Sequence, residues 1–157
     1  AAVMREINRA TIFIGAAAVA DYRPVAVAPQ KIKKTTTHLT LELERTPDVL
    51  AEAALADRGN NGLIVVGFAA ETIDAIRHAR EKLERKKLDL IVANDVTLPG
   101  AGFGTETNVV SLITADRPAP LTLPLLTKLD VAHRILDEIA ALRAAKNESA
   151  ALAVQEG

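Results

Sequence analysis

The sequence predicts an α/β domain, a mostly parallel sheet covered by helices, with a peripheral β-hairpin or flap. Three observations predict it. Apolar runs of strand length alternate with segments of helical periodicity, which is the pattern of βαβ units. Three of those runs are nearly continuous in apolar residues, as strands covered on both faces are. A fourth run alternates strictly, so one of its faces is expected to be wet, and that places it at the periphery.

Taken in order, TIFIGAAA (Thr11 to Ala18), LIVVGFA (Leu63 to Ala69) and LDLIVAN (Leu88 to Asn94) are the continuous runs and read as central strands. HLTLELE (His38 to Glu44) sets Leu39, Leu41 and Leu43 on one side and Thr40, Glu42 and Glu44 on the other. NVVSLIT and PLTLPLL read as a closing strand pair, with Pro120 and Pro124 keeping the second towards an edge because proline cannot donate to a ladder. TPDVLAEAALA starts a helix with Thr46 as N-cap, Pro47 at the first helical position and Asp48 near the positive end of the dipole. In TIDAIRHAREKLERKK the apolar positions Ile73, Ile76, Ala79 and Leu83 follow helical spacing. In TKLDVAHRILDEIAALRAA a box of Thr127 and Asp130 precedes Ala132, Ile135, Leu136, Ile139 and Leu142. Both helices are expected to pack on the sheet. After Lys146 the periodicity weakens, and the tail is expected to fray.

The 157 residues allow one domain, 1–157, with a core of its own. A formal net charge of -1 provides no overall field for gathering nucleic acid or anionic membrane, so any anion site must come from a local arrangement of charges. Aromatic residues make up only 3%, too few for stacking single-stranded bases, and no stretch approaches the ~18 apolar residues of a membrane span. Nucleic acid and membrane are therefore not expected as partners. The chain has no cysteine, which excludes a disulfide framework, a thiolate metal site and a cysteine nucleophile within it and fits a cytoplasmic location.

In open α/β sheets ligands sit beyond the carboxyl ends of the strands, where loops diverge. Three segments converge there by this rule. They are the loop after the first strand, with Asp21 and then Lys31, Lys33 and Lys34; the helix start at Thr46, Pro47 and Asp48; and GFAAET, residues 67–72, with the flat ring of Phe68. On the following helix Lys82 and Lys86 are four apart and share a face. Five lysines from two segments exceed what one phosphate needs, so a triphosphate with a divalent ion near Asp21 suits the set. Each element also has a plainer reading: Lys82 and Lys86 as a solvated helix face beside Glu81 and Glu84, and KIKK as an edge strand protected by lysine. GAGFG (100–104) leads into TETNVV instead of opening a helix after a strand, and fails as a dinucleotide fingerprint. His38, His78 and His133 share no motif and read as structural or surface residues.

AAVADYRP, KIKK, the PD helix start, GFAAET, the KxxxK helix, DLIVANDV and FGTETNVV occur in that order, covering most of the chain from about Ala17 to Asn108. The combination resembles bacterial phosphopantothenoylcysteine synthetase, also called phosphopantothenate cysteine ligase, usually fused to a flavin-dependent decarboxylase. The resemblance implies a Rossmann-like ligase of coenzyme A biosynthesis, a homodimer using CTP and Mg2+. In that family the carboxylate of phosphopantothenate attacks the α-phosphate of CTP, giving an acyl cytidylate and pyrophosphate, and the amine of L-cysteine then displaces CMP. By motif, Gly15, Ala16, Ala17, Asp21, Lys31, Pro47, Asp48, Val49, Leu50, Phe68, Lys82 and Lys86 fall on nucleotide-binding positions, and Asp21 on the metal. Lys31, first lysine of the lysine motif, is the residue expected to stabilise charge building on the α-phosphate. The family's preceding βα region, with its serine- and asparagine-rich loop, and the decarboxylase are not in this sequence, so no flavin is assigned. Two other readings stay open: a dimerising nucleotide-binding module without turnover, and a nicotinamide-dependent dehydrogenase, which lacks its glycine fingerprint here.

Overall fold

The three continuous apolar runs become the middle of one five-stranded sheet. The computed structural model describes residues 1–33, 37–56, 62–71, 74–101 and 104–155. A short helix α1 (Ala2–Glu6) and a 3-10 turn (Ile7–Arg9) precede β1 (Ile12–Gly15), and a small ribbon of β2 (Tyr22–Pro24) and β3 (Leu43–Arg45) follows. Next come α2 (Val49–Leu55), β4 (Ile64–Glu71), α3 (Ala75–Lys86) and β5 (Leu90–Asp95). The chain closes with β6 (Thr107–Asn108), β7 (Val110–Thr114), β8 (Leu121–Thr122), β9 (Leu126–Thr127) and the long α4 (Lys128–Gln155).

The sheet order is β1-β4-β5-β7-β8. β1, β4 and β5 are mutually parallel, and β7 and β8 complete the sheet in antiparallel fashion. Alternate residues of the central strands feed two separate cores, as a doubly covered sheet requires. Val65, Ile91 and Ile113 face α2 and α3, meeting Ala53, Ala79 and Leu83. Ile64, Val66, Val92 and Leu112 face α4, meeting Val131, Ile135 and Ile139. Asp89, just ahead of β5, ties the strands' amino ends together: one oxygen accepts the Val65 amide (2.7 Å) and the other the Lys146 ammonium (2.7 Å). Among the described residues no helix is long and apolar enough to cross a membrane.

The closing strand pair forms as the sequence predicts, with β8 on the sheet edge. The Thr127–Asp130 box also forms, Thr127 Oγ1 donating to the Asp130 carboxylate (2.6 Å) and accepting its amide (3.1 Å). Five expectations are corrected. The first strand ends at Gly15, and 16–20 leave the sheet. Only the end of HLTLELE pairs, with β2 in the segment expected as loop, and Leu39, Leu41 and Leu43 stand 63%, 56% and 52% exposed, because no described residue covers them. Asp48, not Thr46, caps α2, accepting the Ala51 amide at 3.1 Å, so Pro47 lies ahead of the cap. The buried stripe of α4 runs through Val131, Ile135 and Ile139, while Ala132 and Leu136, one residue (100°) further round, are exposed. Finally, α4 does not end at Lys146 but continues to Gln155, Lys146 itself being fastened to the sheet. Ile73, Thr72, Gly102 and Phe103 lie outside the described residues.

Candidate functional site

A cleft of about 900 Å³ opens at the carboxyl ends of β1 and β4. Its shape begins with two glycines. Gly15 and Gly67 are cross-strand partners on β1 and β4. A Cβ on Gly15 would lie 3.0 Å from Leu50 Cδ1, and one on Gly67 would lie 2.9 Å from Leu50 Cδ2. The pair therefore leaves a dip in the sheet in which Leu50 sits, and this lowers the start of α2 onto the strand ends.

The chain leaving Gly15 lines one side of the cleft through Asp21, and Thr46 to Leu50 line the next. Phe68, at the end of β4, and Lys82 and Lys86, on α3, complete it. Both lysines are already engaged. Lys82 Nζ donates to the Phe68 carbonyl at 2.8 Å, and Lys86 Nζ pairs with Asp48 Oδ2 at 2.7 Å. Partial burial works to raise the Asp48 carboxyl, but the hydrogen bonds from Lys86 and the Ala51 amide, with the charges of Lys86 and Lys82, outweigh it and hold it below the usual carboxylate range. One carboxylate thus caps α2 and positions a cation of α3.

Gly15, Ala16, Ala17, Asp21, Pro47, Asp48, Val49, Leu50, Phe68, Lys82 and Lys86 are all brought to this one cleft. Lys31 is not among its lining: with Lys33 it stands exposed on the excursion between β2 and β3, and Lys34 lies outside the described residues. Asn94 is a cleft residue that the sequence reading used only as the end of a strand. Its Oδ1 is buried and has no hydrogen-bond partner among the described residues, so it is an acceptor awaiting a donor. The signal for it was an amide ending an otherwise apolar run.

A second, smaller pocket of about 300 Å³ is lined by Asp74, Asp95, Ser111 and Thr122 among others. Its hydroxyls are bonded to each other at 2.9 Å, and the Thr97 hydroxyl and amide hold the Asp95 carboxyl below its usual range. Among the described residues no group of three or more His, Cys, Asp or Glu side chains is gathered to hold a metal by itself.

Residues 1–142 match the family described as the DNA/pantothenate metabolism flavoprotein C-terminal domain. The chain belongs to this family. Within the flavoprotein C-terminal domain family it is 48% identical over 141 residues to the Coenzyme A biosynthesis bifunctional protein CoaBC of Bacillus subtilis (strain 168), covering 90% of this chain and 34% of that protein. The protein of the same name from Escherichia coli (strain K12) is 46% identical over 143 residues, covering 88% and 34%. The chain thus spans about a third of the length of these relatives. Among solved structures, the C-terminal domain of Coenzyme A biosynthesis bifunctional protein CoaBC superposes with a TM-score of 0.69 at 33% identity, covering 92% of this chain and 60% of that one. Its likeness supports the Rossmann-like α/β architecture.

Proposed function

We propose that this chain is the nucleotide-handling part of a phosphopantothenoylcysteine synthetase, a ligase that joins phosphopantothenate to L-cysteine in coenzyme A biosynthesis at the expense of CTP. The observation that carries the proposal is the convergence of Asp21, Asp48, Lys82, Lys86 and the buried Asn94 Oδ1 on one cleft at the carboxyl ends of parallel strands, in a chain of this family. Such strand ends are where doubly wound folds take their ligands.

The chemistry follows in two steps. A carboxylate oxygen of phosphopantothenate attacks the α-phosphorus of CTP, and pyrophosphate departs. The cysteine amine then attacks the acyl carbon of the cytidylate, CMP leaves, and the amine loses a proton as the amide forms. Lys82 and Lys86 place two cations on the cleft wall, where they favour a polyphosphate. Phe68 offers a ring face near the same wall. Magnesium binds through one or two carboxylates, with phosphate oxygens and waters completing its shell. Asp21, an acid of the cleft where, among the described residues, no group of three or more His, Cys, Asp or Glu side chains makes an all-protein cage, fits that partial role and would hold Mg2+ together with the nucleotide; the ion would neutralise phosphate charge. Lys31 is proposed to stabilise charge on the α-phosphate, which requires the segment between β2 and β3 to reach a bound nucleotide. The exposed Leu39, Leu41 and Leu43 on that segment support a homodimer as the working form.

Calorimetry of CTP and ATP with magnesium tests the reading, with Lys86→Ala and Lys31→Ala alongside. The expected result is saturable binding that prefers CTP and weakens about tenfold or more in Lys86→Ala, the loss of one charge-assisted hydrogen bond. Folded protein that binds neither nucleotide, or binding indifferent to Lys86, would overturn it.

A further inference from the structure

We infer that Thr46 is a positioning residue, latching the loop of residues 16–21 to the start of α2 and so fixing the separation of two walls of the cleft. The inference rests on reading that cleft as the nucleotide site. Thr46 holds two successive carbonyls of the loop. Its hydroxyl donates to the Ala20 carbonyl at 2.5 Å, and its amide donates to the Asp21 carbonyl at 2.9 Å. The hydroxyl and its acceptor are 26 residues apart in sequence; the amide bond carries the β2–β3 ribbon one step past its Tyr22–Arg45 pair, and the hydroxyl bond extends the hold to Ala20, on the chain leaving β1.

The sequence frees Thr46 for this work. Pro47 biases the residue before it towards extended backbone, and the amide of N3, which an N-cap hydroxyl would have taken, goes to the Asp48 carboxylate instead. In Thr46-Pro47-Asp48 the tasks are divided: threonine reaches back to the β1 loop, and aspartate caps α2 and holds Lys86. A line of bonded groups therefore runs across the cleft, from Ala20 through Thr46 and Asp48 to Lys86 on α3. The β-branched side chain restricts χ1 and keeps the hydroxyl aimed at Ala20. Removing that hydroxyl loosens the first link of the line. It leaves the Thr46 amide bond, the α2 cap and every charged group of the cleft in place.

The test compares Thr46→Val, which keeps the shape without the donor, with Thr46→Ser, which keeps the donor. Magnesium–CTP affinity is measured by calorimetry, and amide hydrogen exchange is followed segment by segment. In Thr46→Val the affinity should fall by about 2- to 10-fold, the range of one lost hydroxyl–carbonyl bond. Exchange in residues 16–21 should quicken by a similar factor while exchange in β5 and β7 stays at its wild-type rate. Thr46→Ser should recover most of both. A merely structural role would quicken exchange throughout the domain and give no specific rescue by serine. Equal behaviour of the Val and Ser variants, or unchanged exchange in residues 16–21, overturns the latch. Should Thr46→Val not fold, Thr46→Ala is compared with Thr46→Ser on the same two readouts. If the wild type binds no CTP, the nucleotide reading fails by itself, and the exchange contrast still decides whether Thr46 holds the loop.

Discussion

Replacing Gly67 by alanine probes how closely α2 is seated on the sheet. The new Cβ would lie 2.8 Å from Leu88 Cδ1 and 2.9 Å from Leu50 Cδ2. Ordinary carbon–carbon contacts are about 3.5–4.0 Å, so both leucines are short of room by roughly 0.6 Å or more. Leu88 is only 4% exposed and belongs to the α2/α3 core, so it cannot yield without disturbing its neighbours. Overpacking of this kind costs about 1–3 kcal/mol, and alanine returns roughly 0.5–1 kcal/mol of the backbone entropy that glycine forfeits in a strand. Taking the middle of each range, the net destabilisation is about 1.3 kcal/mol, which corresponds to a fall in Tm of about 3–5 °C for a chain of this length. Thermal unfolding followed by circular dichroism measures it. The double variant with Leu50→Ala should lose less than the sum of the single losses, since one of the two clashes is then gone. CTP affinity should weaken with the single change, because Leu50 carries the start of α2. A Tm for Gly67→Ala at or above wild type, or strict additivity with Leu50→Ala, would refute the seating argument.

Other outcomes follow from the same packing and charges. The Asp48 carboxyl is held below its ordinary value of 3.8, so its pairing stabilises the fold above the unfolded-state value and that contribution is lost as the pH falls through the lower, folded-state value. Asp48→Asn keeps a good cap and should be less stable than wild type at pH 7, with the gap closing below about pH 3.8; pH-dependent urea unfolding measures it, and a gap that persists unchanged into acid would contradict the Lys86 pairing. The register of α4 is tested by neighbours: Ile135→Ala should cost about 2–5 kcal/mol, while Leu136→Ala, at a half-exposed site, should stay within about 1 kcal/mol of wild type. Denaturation midpoints that ranked the two in reverse would place the buried stripe elsewhere.

Much of the fold was legible because its signals are local. A strand covered on both faces must be apolar at every position, so Leu63 to Ala69 and Leu88 to Asn94 announced themselves, and a capping box is complete within four residues, as at Thr127 and Asp130. The candidate site was legible in a different way. The strand-end rule brought Asp21, the α2 start and Phe68 to one place, but the individual roles of Gly15, Lys82 and Lys86 came from a motif resemblance, since nothing in helical spacing separates a site lysine from a solvated one. Asn94 has no such signal, because burial of its Oδ1 without a partner among the described residues is a property of its surroundings and not of its neighbours in sequence.

By itself, then, the sequence determined the class of fold, the order of its main elements and the end of the sheet at which a ligand belongs. Tertiary structure decided that Gly15 and Gly67 pair to seat Leu50, that Thr46 spends its hydroxyl on Ala20 and leaves the cap to Asp48, and that Leu39, Leu41 and Leu43 find no cover among the described residues. The physical reason is range. Hydrophobic period and backbone caps are settled within a turn or two of chain, whereas a hydroxyl or a leucine with several possible partners is committed only when segments distant in sequence close upon it.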